Sequence, residues 1–189
     1  PSGIELNSTQ YTSMVTVNID DGKYKSPLKP SSDTPTHIEL YRRFSDIQSI
    51  VHTHSIFATS WAQSGLAIPC VGTTHADYWS SDIPITRVLT KNEVENEYEK
   101  NTGIVIVETL LKLKIDVLTC PGILVNNHGV FAWGKSSEEA LNNAELIEYI
   151  SEMAYKTMMI NPNTKPINKH LQKKHFNRKN GDEKYYGQN

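Results

Sequence analysis

The sequence predicts an α/β fold in a single domain. Predicted strands and helices alternate along the chain instead of falling into separate blocks, and 189 residues is an ordinary length for one domain. Hydrophobic residues make up 38% of the chain and charged residues 21%, as in globular proteins generally. We therefore expect one domain over residues 1–189, with a core built from both kinds of element.

The first third of the chain predicts a hairpin, a helix, a strand and a second helix. SMVTVNIDDGKY alternates apolar and polar residues up to the turn signal Asp21-Gly22. In SSDTPTHIELYRRF, Thr34 is the expected N-cap and Pro35 the first helical residue. SIVHTH is typical of a short strand, and FATSWAQSG of a helix that Gly65 ends.

The middle of the chain is less regular. CVGTTHADYWSSD is polar and predicts a loop, and ITRVL predicts a strand. Thr90 and Glu93 form the spacing of a capping box at the start of a helix. A second helical run is expected to follow Gly103.

The last third predicts an interrupted strand and the clearest helix of the chain. GILVNNHGVFAWG is typical of a strand that breaks near Asn127–Gly129. In SSEEALNNAELIEYISEMAYKTMMI, Ser136 and Glu139 fit another capping box, and apolar residues keep helical spacing. The tail predicts a basic helix followed by a polar end with two tyrosines.

Composition excludes several classes of function. The formal net charge of -2 gives no overall basic bias toward nucleic acid, and no apolar run approaches the roughly 18 residues of a membrane span. Cys70 and Cys120 are too few for a disulfide scaffold and fit a reducing compartment. Because no signal peptide is visible, we expect a cytoplasmic protein.

Two histidines, His52 and His54, stand two residues apart in a stretch that is otherwise typical of a buried strand. Alternate side chains of a strand share a face, so both rings are expected on one side. His128 is the preferred third ligand because it ends a predicted strand, and His75 competes with it on spacing. Three histidines leave one coordination position for water or substrate, as in catalytic zinc sites. The alternative is a set of ordinary core or surface histidines.

The order of motifs along the whole chain is more specific than any one of them. The motifs are PSG, KPSSDTPTH, IVHTHSIFATSWAQSG, GTTHADYW, EYEKNTGIVIVET, PGILVNNHGVFAWGK and KHFNRKNG followed by YYGQ. Together they resemble the class II aldolase superfamily and, within it, the L-ribulose-5-phosphate 4-epimerases. The resemblance extends from residue 1 to the C-terminal YYGQ.

The resemblance implies a single three-layer αβα domain around a central mixed, mostly antiparallel sheet. It also implies a homotetramer of fourfold symmetry with active sites between subunits, and one divalent metal ion per subunit, usually zinc. The matching motif positions imply the metal ligands His52, His54, His128 and Asp33.

Further site residues follow from the same resemblance. Asp77 and Tyr186 are implied as the acid/base pair, contributed by the neighbouring subunit, with His175 beside them. Thr73 and Glu99 are implied more weakly as supporting residues. The implied phosphate-binding residues are Ser2, Gly3, Ser31 and Ser32. Ser31 and Ser32 also directly precede a predicted helix, whose N-terminus favours an anion.

The implied activity is the interconversion of L-ribulose 5-phosphate and D-xylulose 5-phosphate in arabinose, ascorbate or related pentose catabolism. The expected route is cleavage of the C3–C4 bond, rotation of the aldehyde fragment and re-addition. One alternative is a class II sugar-phosphate aldolase, although those enzymes typically carry Glu where this chain has Asp33. The family also has an N-terminal segment that precedes the printed sequence, so an inactive truncated relative is a further alternative.

Local sequence alone permits structural interpretations of the same residues. Asp33 is also typical of a helix cap, and Asp77 of a turn within a polar loop. Tyr186 near the C-terminus is also typical of a packing residue. The basic stretch Lys169–Lys179 is typical of a solvated helix face.

Overall fold

The computed structural model describes residues 1–5, 8–181 and 184–185. The chain divides into two compact units, Pro1–Ser45 with Leu89–Glu108 and Asp46–Val88 with Thr109–Asn189. The helices are α1 (Thr34–Arg43), α2 (Ile56–Ser64), α3 (Thr73–Ala76), α4 (Lys91–Glu95), α5 (Tyr98–Lys112), α6 (Ser137–Ile160) and α7 (Lys169–Asn180). The strands are β1 (Ser49–Thr53), β2 (Gly122–Val125) and β3 (Gly129–Gly134).

The first unit contains the predicted hairpin turn in a reduced form. Gly22 adopts a left-handed φ of 70°, and a single antiparallel bridge joins Val17 to Tyr24. Asn18 supports the turn, because its side-chain oxygen accepts hydrogen bonds from the backbone N–H groups of Asp20 and Asp21. The hairpin signal at Asp21-Gly22 is therefore confirmed, without extended strands on either side.

Helices α1 and α5 approach closely within this unit at Gly103. A Cβ atom at Gly103 would lie 2.7 Å from the Cβ of Glu39 and 3.0 Å from the backbone oxygen of Thr36. Glycine is therefore needed for the contact, although it weakens a helix interior. The expectation that the helix follows Gly103 is wrong, because α5 begins five residues earlier and passes through it.

The second unit is built on a three-stranded antiparallel sheet in the order β1-β3-β2. Strand β3 is central and buried along its whole length. Helix α6 packs in the same core through Ala144, Ile147 and Ile150, and its buried residues repeat at helical spacing as the sequence predicts. The α/β class and the antiparallel character of the sheet are confirmed.

The predicted strand over ITRVL is wrong. One parallel bridge joins Ile85 to Leu124, which makes the sheet mixed at this point only. The ladder stops there because the side-chain oxygen of Thr86 accepts the N–H of Asn126 at 3.1 Å, in place of a backbone carbonyl. Pro84, which has no N–H to donate, precedes the bridge.

Caps were predicted at the N-terminal ends of three helices, and the structure forms them to different extents. Thr90 and Glu93 form the predicted capping box. At α6 only half of the box forms, because the Glu139 carboxylate accepts from the N–H of Lys135 and not from that of Ser136. At α1 the cap position is Asp33, one residue before the predicted Thr34, and the Asp33 side chain makes no capping hydrogen bond.

The polar segment predicted as a loop contains the one-turn helix α3. In the part of the chain that the structure describes, no helix is both long enough and apolar enough to cross a membrane.

Candidate metal centre

Three histidines meet at one end of the sheet in the second unit. His52 lies on β1, His54 directly follows that strand, and His128 lies in the turn between β2 and β3. Their ligand nitrogens all lie within 4.8 Å of one another. The structure therefore groups His128, and not His75, with the two histidines of the HTH stretch.

The β2–β3 turn places His128 in this group. Asn127 adopts a left-handed φ of 58°, which asparagine tolerates better than most residues. The N–H of His128 donates to the carbonyl oxygen of Val125 at 3.0 Å, and the N–H of Asn127 donates to that of Ala62. After this turn, β3 pairs with β1, so the end of the turn lies beside the end of β1.

Gly129 allows the histidine rings to approach this turn. A Cβ atom at Gly129 would lie 2.7 Å from the carbonyl oxygen of Thr53, 2.9 Å from the Cδ2 atom of His54 and 3.3 Å from the Cε1 atom of His52. Even the smallest side chain would therefore press on two of the three rings and on the β1 backbone.

The ring of His52 is held in one orientation. Its Nδ1 atom lies 2.9 Å from the carbonyl oxygen of Val130, and because a carbonyl only accepts, Nδ1 must carry the proton. The ring also stacks on Phe131, its partner across the β1–β3 ladder, with centroids 4.1 Å apart and planes inclined by 18°. The Nε2 atom of His52 therefore faces His54, whose Nε2 lies 3.1 Å away.

This arrangement fits a divalent metal ion. Two nitrogens that each lie about 2.1 Å from a tetrahedral zinc ion are about 3.4 Å apart. The observed separation of 3.1 Å between the His52 and His54 nitrogens is close to that value. A carbonyl that fixes the second ring nitrogen is the usual support of a metal-binding histidine. Three imidazoles suit zinc and other borderline transition metals.

Helix α2 begins two residues after His54, and Glu148 of α6 anchors its first turn. The two carboxylate oxygens of Glu148 accept the N–H groups of Phe57 and Ala58, each at 2.9 Å. These N–H groups belong to the first turn of α2 and have no partner within the helix. Ser55 occupies the cap position without a side-chain capping bond, so Glu148 takes over that role.

A second cluster of ionisable groups joins α3 to α7. The Asp77 carboxylate, 12% exposed, accepts hydrogen bonds from Nδ1 of His175 at 3.0 Å and from two nitrogens of Arg178 at 2.9 and 2.8 Å. Burial raises the pKa of Asp77, but donation by Arg178 and His175 outweighs it and holds the pKa below its usual range. Asp77 is therefore ionised at neutral pH.

His75 lies in α3 and is only 3% exposed. Its Nε2 atom lies 3.0 Å from the carbonyl oxygen of Ser81, and its ring meets Trp79 edge to face. Burial lowers the pKa of His75 to about 4, so the ring is neutral at physiological pH. Its position among core residues is typical of a packed histidine.

The other predicted site residues fall into three groups. Thr73 begins α3 and its carbonyl oxygen accepts the N–H of Asp77 at 2.9 Å. The first unit contains Ser2, Gly3, Ser31, Ser32, Asp33 and Glu99. Ser31 and Ser32 directly precede α1, as predicted. Tyr186 lies outside the described residues.

Sequence reasoning did not identify three residues that shape these clusters: Gly129, Phe131 and Arg178. Phe131 could have been found only from the pairing of β1 with β3, which was not predicted from the sequence. Arg178 lies three residues after His175 on a predicted helix, so both face the same side. That spacing was the available signal for its contact with Asp77.

Comparison with known proteins identifies the family of this chain. The sequence profile described as "Class II Aldolase and Adducin N-terminal domain" matches residues 1–155. The chain is 48% identical, over 188 residues, to proteins named L-ribulose-5-phosphate 4-epimerase UlaF from Salmonella paratyphi A and Salmonella typhi. Each alignment covers 100% of this chain and 82% of the relative.

Solved structures show the same fold. An L-fuculose 1-phosphate aldolase superimposes with a TM-score of 0.73 and 20% identity, over 93% of this chain and 76% of the other. The L-fuculose-1-phosphate aldolase of Thermus thermophilus gives a TM-score of 0.57 with 19% identity, over 84% and 75% of the two chains. These likenesses confirm the class II aldolase-like fold expected from the motifs.

Proposed function

Because this chain belongs to the class II aldolase and adducin family, we propose that it interconverts L-ribulose 5-phosphate and D-xylulose 5-phosphate by inverting C4. The observation that carries this proposal is the 48% identity, along the whole chain, to relatives named as 4-epimerases of that substrate. We also propose that residues 1–189 form one class II aldolase/epimerase domain.

The proposal includes one divalent metal ion per subunit, with zinc as the first candidate. His52, His54 and His128 would hold it, with the carboxylate of Asp33 as a further ligand. The three-histidine cluster supports the first three assignments. For Asp33, the support is that its side chain makes no capping hydrogen bond at α1. When bound, the ion supplies a Lewis acid that stabilises negative charge developing on substrate oxygens.

The chemistry avoids the hydrogen on C4, which is not acidic. Breaking the C3–C4 bond instead leaves an enediolate of dihydroxyacetone and the aldehyde glycolaldehyde phosphate. A base must take the proton of the C4 hydroxyl group, and after rotation of the aldehyde an acid must return one on the opposite face. We assign these two roles to Asp77 and Tyr186, with His175 oriented by Asp77.

The proposed assembly is a homotetramer in which Asp77, His175 and Tyr186 serve the metal site of the neighbouring subunit, supported by Thr73 and Glu99. The substrate phosphate would bind at Ser2, Gly3, Ser31 and Ser32. The N-terminus of α1, a helix of 10 residues, supports the last two, because its free N–H groups and dipole favour an anion.

We propose a cytoplasmic location and a role in arabinose or ascorbate catabolism. Both cysteines, Cys70 and Cys120, are buried free thiols, which is the state a reducing compartment maintains.

A second candidate is a sugar-phosphate aldolase, which would release both fragments. The fold likeness to an L-fuculose 1-phosphate aldolase favours it. Asp33 favours the epimerase, because aldolases of this superfamily typically carry glutamate at that position. The two differ in whether the aldehyde fragment is released, so product analysis separates them.

The test is incubation of the metal-loaded protein with L-ribulose 5-phosphate, with and without a chelator, followed by chromatographic separation of the sugars. We expect D-xylulose 5-phosphate, and its loss when the chelator is present. Release of free dihydroxyacetone would support the aldolase instead. No conversion by a folded, metal-loaded protein would refute the epimerase and would favour an aldolase of another sugar phosphate or an inactive relative.

A further inference from the structure

We propose that Arg178 is a positioning residue that holds Asp77 as an oriented carboxylate with a single open acceptor position, on Oδ2. This proposal rests on the proposed function for its chemistry, but its geometry is independent of it. Arg178 is assigned no role by the family motifs considered above.

The hydrogen bonds of Asp77 account for most of its accepting capacity. Its Oδ1 atom accepts from Nδ1 of His175 and from Nε of Arg178, while Oδ2, among the described residues, accepts from the Arg178 guanidinium alone, at 2.8 Å. A carboxylate offers about four lone-pair positions, so one remains on Oδ2 when the donors of the described residues are counted. The paired bonds of Arg178 also fix the plane of the carboxylate, which a single donor cannot do.

Helix α7 contributes the charged groups that act on Asp77. His175, Arg178 and Lys179 favour its ionised form, and Lys179 is itself held over the ring of Tyr78, with 4.0 Å from Nζ to the centroid. Within α3 itself, His75 is buried and neutral, because burial lowers its pKa to about 4. Asn180 donates to the backbone oxygen of Asp77 and fixes the main chain as well.

A carboxylate held in this way begins the reaction as the base. Oδ2 of Asp77 accepts the proton of the C4 hydroxyl group, the O–H electron pair forms the C=O bond, and the C3–C4 pair passes to the enediolate fragment. After rotation, the enediolate attacks the other face of the aldehyde and Tyr186 donates a proton to the new alkoxide. The cycle closes when solvent removes the proton from Asp77 and returns one to Tyr186.

The competing explanation is that Arg178 only ties α7 to α3. A purely structural bond would lower stability and activity at all pH values, without changing the pH at which activity appears. A positioning role through Asp77 changes that pH, because removing the guanidinium raises the pKa of the carboxyl group. The pH dependence of kcat/KM therefore distinguishes the two.

In the pH profile of kcat/KM, we expect Arg178→Met to shift the acid limb to higher pH by at least about one unit. The reason is that an adjacent opposite charge lowers a carboxyl pKa by about 1 to 3 units. Arg178→Lys keeps the charge without the paired bonds and should give a smaller upward movement with a lower kcat. Added guanidinium ion should partly restore Arg178→Met. Lys173→Met, an exposed cation on the same helix, is the matched control and should leave the limb in place.

An acid limb that stays in place in Arg178→Met, with no rescue by guanidinium, would overturn the proposal. If Arg178→Met does not fold, Arg178→Lys provides the test, and an unchanged limb with an unchanged kcat is the refuting result.

A second measurement does not depend on turnover. Carboxyl ¹³C NMR of aspartate-labelled protein, with Asp77→Asn to assign the resonance, should show Asp77 titrating at higher pH in the Arg178 variants. Absence of turnover in the wild type would then refute the proposed function while this titration still decides the role of Arg178. An identical titration in wild type and variants would refute that role alone.

Discussion

Acidification should destabilise this protein through His75 before its carboxylates are protonated. The ring is 3% exposed and faces the Ser81 carbonyl, and burial lowers its pKa from 6.5 to about 4. As the pH falls, the unfolded chain binds a proton at this histidine before the folded protein does. The stability that the neutral, buried ring allows is therefore complete above pH 6.5 and is lost as the pH falls toward 4. That difference between folded and unfolded states corresponds to about 3 kcal/mol, at roughly 1.4 kcal/mol per pH unit.

The assay is urea unfolding of wild type and His75→Gln at a series of pH values between about 7 and 4, both stripped of metal. Glutamine keeps a donor for the Ser81 carbonyl but does not titrate in this range. The difference between the two unfolding free energies should therefore change by about 3 kcal/mol across the series. Parallel curves would refute the reasoning, because other titrating groups are common to both proteins.

The same variant tests the choice of metal ligands. Since His75 lies outside the three-histidine cluster, His75→Gln should keep the zinc affinity of the wild type. A loss of affinity as large as that of His54→Asn would return His75 to the ligand set.

Three further predictions concern the metal centre and its supports. Gly129→Ala should weaken zinc binding about 10- to 100-fold by displacing the His52 and His54 rings, as measured by competition with a chromophoric chelator. Gly72→Ala is the control, because a Cβ atom there would meet nothing within 4 Å. Equal zinc affinities of Gly129→Ala and the control would contradict the steric argument. His54→Asn should lose metal and activity with its circular dichroism spectrum largely kept, so full activity would exclude His54 as a ligand. Glu148→Ala should lower the free energy of unfolding by about 1–3 kcal/mol, since two N–H groups lose their acceptor, whereas the exposed Glu145→Ala should not.

Local patterns predicted the parts of the second unit that hold the histidines. The SIVHTH stretch marked β1, the Gly65 signal marked the end of α2, and the break near Asn127 marked the β2–β3 turn. These features depend on neighbouring residues in the chain, so a sequence reveals them. The meeting of His128 with His54 depends on strand pairing, although the position of His128 at a strand end had already made it the preferred third ligand over His75.

Features that depend on distant partners were missed or misjudged. The strand over ITRVL ends after one bridge because the Thr86 side chain takes the next donor, a choice made by tertiary contact. Helix α3 has only four residues, too short to show a periodicity. The bond between Arg178 and Asp77 joins residues 101 positions apart, and its only sequence signal is indirect, the helical spacing of Arg178 from His175.

The separation of the three histidines along the chain has a consequence for the lifetime of the protein. An ion held by His54 and His128 would act as a reversible cross-link between segments more than 70 residues apart. Such a ligand stabilises the folded chain by mass action, by about 4 kcal/mol when free ion exceeds the dissociation constant a thousandfold. The metal supply of the cell would then set how much protein survives proteolysis, as well as how much is active.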